Sequence, residues 1–116
     1  MPVLKNEDLP LEQMYPLVQR RELIGGKMGA QNITMGEIII QPGGQIPLHK
    51  HSIEDCVLLR EGSGEIHIND EVIKVQAPMT VLIPPNIKHR VVNTGDKPIR
   101  IIFGFPSINV DRQLLD

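Results

Sequence analysis

Ten glycines and ten prolines cut this chain of 116 residues into short pieces. Most of those pieces are rich in β-branched residues. Val18–Ile24 reads as a strand, and the GGKMGAQ that follows reads as a loop. ITMGEIIIQ (33–41) is a second strand, turned by PGG at 42–44. Pro47–His51 and Asp55–Arg60 are the next extended pieces, and EGSG (61–64) turns the chain again. EIHIN (65–69) and EVIKV (71–75) flank Asn69-Asp70 as a tight hairpin. MTVLIP, RVVN and IRIIFGF complete the series. Strands at this spacing without helical periods predict an all-β sandwich or barrel. Only LPLEQMY near the start and VDRQLL at the end have room for short helices.

EIIIQ, CVLLR and RIIFGF carry consecutive apolar residues, a pattern that predicts burial on both faces. One face fills the interior of a single domain spanning 1–116. The other is expected to meet a second copy, giving a homodimer, or to be covered by the N-terminal segment 1–17, which caps the barrel or reaches a partner. A net charge of −2, with no basic run longer than Arg20-Arg21, argues against nucleic acid. No stretch of 18 apolar residues exists to cross a membrane, and MPVLKNEDLP lacks the order of a secretory signal, so the expected location is the cytoplasm. A single cysteine, Cys56, makes no internal disulfide, and strand parity sends it into an apolar layer. Tyr15, Phe103 and Phe105 are the only aromatic residues. Any pocket is therefore lined mainly by aliphatic side chains, which weighs against ligands held by stacking.

The chemistry concentrates in HKHSIEDC. Residues two apart on a strand share a face, so His49 and His51 point together. If the turn that follows preserves parity, Asp55 joins them and Glu54 faces away; a bulge at Ser52-Ile53 reverses the choice. Two imidazoles and a carboxylate suit one divalent transition metal: Fe, Mn, Ni, Co or Zn. In IPPNIKHRVVN, His89 heads a strand that an antiparallel arrangement can bring against the first two histidines.

GGQIPLHKHSIEDCVLLREG resembles the first motif of the cupin superfamily, with Gly43, His49, His51, Asp55 and Gly62 at the motif positions. The second motif is matched by Pro84, Asn86, His89 and Asn93. Asp55 stands where the family usually has Glu, one methylene longer. Asn86 replaces a glycine, and Asn tolerates the left-handed backbone that a turn can require. The resemblance implies a double-stranded β-helix, a jelly-roll barrel, with a metal held by His49, His51, His89 and Asp55. It also implies open positions for a small oxygen-rich ligand such as a sugar acid, hydroxy-acid or keto-acid. Lyase, isomerase, decarboxylase and dioxygenase chemistries all occur on such a scaffold. A non-catalytic, metal-dependent binding or sensing module is the alternative.

Catalytic candidates beyond the ligands are Glu37, which in the otherwise apolar MGEIIIQ reads equally as an inward acid or base or as an outward surface charge; Tyr15, as a proton donor; and Glu54, as an acceptor that orients a ligand histidine. Arg20, Arg21 and Lys27 read first as exposed charge, with an anionic substrate at the barrel mouth as the functional alternative. His67 groups with Glu65 on a solvated face.

Overall fold

The computed structural model describes residues 1–116. Eleven strands form: β1 (Glu12–Tyr15), β2 (Val18–Ile24), β3 (Thr34–Ile40), β4 (Gln45–Lys50), β5 (Asp55–Glu61), β6 (Ser63–Ile68), β7 (Glu71–Gln76), β8 (Met79–Ile83), β9 (His89–Val92), β10 (Ile99–Phe105) and β11 (Gln113–Leu114). They pair antiparallel into a six-stranded sheet, β1-β2-β3-β10-β5-β8, and a five-stranded sheet, β11-β4-β9-β6-β7. There is no α-helix.

Period-2 side-chain alternation explains how the sheets face each other. Along β10, Ile99, Ile101, Phe103 and Phe105 point inward and are buried, and the residues between them are half-buried. Val57 and Leu59 do the same on β5, and Ile66 and Val91 answer from the other sheet. Fourteen buried apolar residues form one contiguous core between the layers.

The turns follow their residues. Asn69 has φ 52° in the β6–β7 hairpin, where Ile68 faces Glu71. Asn86 has φ 65°, the left-handed conformation expected for it. Gly62 has φ 89°, and a Cβ there would lie 2.5 Å from the Pro98 carbonyl oxygen, so conformation and space both require glycine.

Three expectations are corrected. LPLEQMY is not helical: a 3-10 turn covers Asn6–Asp8, and β1 then pairs with β2, Glu12 opposite Arg20. Pro10 and Pro16 leave five residues between them, too few for a helix to nucleate, while the edge of β2 offers a backbone ladder. VDRQLL likewise yields β11, which pairs with Lys50 and His49 of β4. Cys56 is exposed rather than buried in an apolar layer. It points outward as parity predicts, but nothing in this chain covers the outer side of β5 and β8, where Leu82 is 61% exposed.

Candidate metal centre

His49 at the end of β4 pairs directly with His89 at the start of β9, and their ring centroids lie 4.1 Å apart. His51 follows β4 by one residue, with its ring 4.8 Å from that of His49. All three imidazoles are buried, and their nearest ligand atoms lie within 4.8 Å of one another. Asp55 comes from β5, in the opposite sheet, and is also buried. Its Oδ2 lies 3.7 Å from His51 Nε2 and 3.5 Å from His89 Nε2.

The Nδ1 partners fix how the rings point. His49 Nδ1–H donates to the Pro47 carbonyl (2.7 Å), and His89 Nδ1–H to that of Ile87 (2.9 Å). His51 Nδ1–H donates to the Asp111 carbonyl (2.6 Å). A carbonyl only accepts, so each Nδ1 carries the proton and each Nε2 presents a lone pair. The His89 Nε2 and Asp55 Oδ1 are buried without a hydrogen-bond partner. Convergent Nε2 lone pairs beside an orphaned buried carboxylate oxygen are a donor set that fits a divalent transition metal.

Burial disfavours charge on these rings. Loss of solvent lowers the His49 pKa to about 3, helped by His89, His51 and Arg112 and opposed by the Pro47 carbonyl. His51 is lowered for the same leading reason, while the Asp111 carbonyl and Asp55 pull the other way. The neutral imidazole that a metal requires is therefore the resting form of both.

A cavity opens from this cluster, walled by Ile38, Ile46, Val57, Val91, Ile101 and the two phenylalanines. Arg20 and Arg112 also line it. The chain thus brings His49, His51, His89 and Asp55 together. It does not bring Glu37, which lies on the outer face and accepts from Arg21 at 2.7 Å. Glu54 is exposed outside the barrel near Cys56 and meets none of the histidines, whose Nδ1 partners are all backbone carbonyls. Tyr15 packs on the core edge, and its hydroxyl accepts from Arg112 at 3.1 Å. Lys27 borders a separate hollow, and His67 is half-buried beside Glu65. Asp111 and Arg112 escape sequence reasoning altogether. They stand about sixty residues from the histidine pair and belong to no motif.

The family model of the cupin domain matches residues 36–105. The chain belongs to the cupin family. Among curated relatives, this cupin is 34% identical over 77 residues to the polyketide synthase CurC of Streptomyces cyaneus, covering 66% of this chain and 50% of the relative. It is 29% identical to the dimethylsulfoniopropionate lyase DddW of Ruegeria pomeroyi, over 90% of this chain and 72% of that one. It spans about half the length of several of the curated relatives it matches. In three dimensions it superimposes on the polyketide cyclase RemF of Streptomyces resistomycificus with a TM-score of 0.85, at 22% identity, over 100% of this cupin and 87% of RemF. An oxalate decarboxylase of Lactobacillus farciminis gives 0.83 at 24% identity, covering 94% of this chain and 34% of that one. The double-stranded β-helix is the shared fold.

Proposed function

We propose that this cupin is a metal-dependent enzyme acting on a small oxygen-rich metabolite, with His49, His51, His89 and Asp55 holding one divalent metal. One observation carries the reading: all three Nδ1 protons are committed to backbone carbonyls, so three lone pairs converge beside an unpartnered Asp55 oxygen. The metal would act as a Lewis acid on a bound carbonyl, carboxylate or hydroxyl oxygen. The chain's own part is orientation, exclusion of water and proton handling. Aliphatic walls keep solvent from the ligand, and Asp55 Oδ1 is the atom able to take a proton, because no protein donor occupies it. Lyase or decarboxylase chemistry on a hydroxy- or keto-acid needs no more than that. The names of relatives, a sulfoniopropionate lyase and an oxalate decarboxylase, lie in the same range.

A second reading, metal-dependent binding without turnover, draws on one feature: Asp55 is the single carboxylate among the residues lining the cavity. If both of its oxygens ligate the metal, no base remains inside the cavity.

The test is metal content per chain in protein purified without chelator, measured beside His51→Ala. The expected result is about one equivalent of a transition metal in the wild type and little in the variant. A wild type that stays empty after incubation with Fe(II), Mn(II), Co(II), Ni(II) and Zn(II) in turn would overturn the proposal.

A further inference from the structure

Six arginines occur in the chain, and three of them have carboxylate partners. Arg21 meets Glu37 at 2.7 Å, Arg90 meets Asp116 at 2.7 Å, and Arg100 meets Glu61 at 3.1 Å. Arg60 is exposed. The remaining two, Arg20 and Arg112, both line the histidine cavity, and neither has a carboxylate oxygen within 4 Å.

Each guanidinium is held in place. Arg20 projects from β2 with its Cζ 5.0 Å from the centroid of Phe103, whose ring lies close against Gly36; a Cβ at Gly36 would come within 2.5 Å of that ring. Arg112 lies in the segment that crosses the barrel end. There it donates to Tyr15, while its neighbour Asp111 accepts from His51 and from Ser52. Glu12 and Glu22, which border a separate hollow with Arg20, attract it without forming an ion pair. Burial nevertheless lowers the Arg20 pKa, so the charge sits where solvent compensates it poorly. Two cations line this apolar cavity against a single carboxylate, Asp55, which the metal reading already uses, and so form half of an anion site.

We propose that Arg20 and Arg112 are a carboxylate clamp, and that the ligand is a small dicarboxylate or related acid held between this clamp and the histidine cluster. The proposal rests on the metal-site reading for the far end of the ligand, and on the arginines alone for the near end. The planar fork of each guanidinium matches a carboxylate edge, which selects acids over neutral molecules of the same length.

The probes are oxalate, malonate and succinate, with succinamide as the uncharged counterpart of the last. They are titrated calorimetrically into metal-loaded and metal-free protein. At least one diacid is expected to bind, with affinity falling about tenfold in Arg112→Gln and in Arg20→Gln at unchanged metal content. Succinamide is expected to bind weakly and equally to all forms. Arg112 is exposed, so its variant keeps the fold, and Arg20→Lys separates loss of the fork from loss of packing. Wild-type affinity in both glutamine variants, succinamide binding the wild type as tightly as succinate does, or no binding of any diacid overturns the clamp. Arginine-dependent binding by a protein that takes up no metal supports the clamp and defeats the metal reading. Bound metal with arginine-independent binding does the reverse.

Discussion

The two ends of the barrel both bury polar side chains and treat them in opposite ways. At the closed end, Asn93 is fully used: Nδ2 donates to the carbonyls of Ile40 (2.8 Å) and Lys97 (2.9 Å), and Oδ1 accepts from the Gly95 amide (3.0 Å). Its backbone also exchanges hydrogen bonds with Gly43 and Gly44. At the open end, Asp55 and His89 are as deeply buried, yet each keeps an atom without a partner. Burying an unpaired polar group costs free energy, so natural structures keep such groups where a ligand completes them. Motif membership does not make this distinction, since Asn93 and His89 belong to the same short motif. Satisfaction does: one residue ties the barrel shut, and the other waits for something to bind.

That contrast breaks if the two ends respond alike to substitution. The largest effect is expected from His89→Leu, which removes a ligand atom and an orphaned buried nitrogen together. Metal affinity should fall by more than about a hundredfold, because even residues that merely orient ligands cost 10–100-fold. The melting temperature of the metal-free protein should hold or rise. A metal titration and a thermal melt on the same sample check both halves.

Asn93→Ala should do the opposite. Leaving two carbonyls and an amide unpaired is expected to cost about 2–3 kcal/mol of stability by urea denaturation, while the folded fraction binds metal as the wild type does. Loss of metal affinity without loss of stability in this variant would erase the division between the ends.

The smallest effect concerns pH in the metal-free protein. Folded His49 stays neutral down to about pH 3, because burial disfavours its charge, whereas the unfolded imidazole takes a proton below about 6.5. Protons therefore favour the unfolded chain, and stability should fall as pH drops through this window, by about 1 kcal/mol from 6.5 to 5.5 for this one group. Denaturation midpoints across that range measure it.

Much of this was legible in the sequence for a physical reason. Strand parity depends only on the period of two, so it puts His49 and His51 on one face without knowledge of neighbours. The choice between Asp55 and Glu54 hung on the turn at Ser52-Ile53, and Asp55 reaches the histidines from the opposite sheet. The same rule sent Cys56 outward, but parity cannot say whether anything covers a face, and the expected apolar layer proved to be exposed. Glu37 was ambiguous because an acid in an apolar strand reads alike on either side, and only its pairing with Arg21 settles its orientation.

The sequence by itself determined the β architecture, the turn residues Asn69, Asn86 and Gly62, and the shared face of His49 and His51. These rest on local geometry: side-chain alternation, left-handed backbone at fixed positions, and the bonds by which His49 and His89 donate to carbonyls two residues back. Tertiary structure alone decided the rest. It laid the C-terminal segment across the barrel end, so that Asp111 orients His51 and Arg112 reaches the cavity. It also stacked Arg20 on Phe103, across a pair of strands far apart in the chain. Such contacts join residues sixty to a hundred positions apart, and no periodicity or spacing in the sequence encodes them.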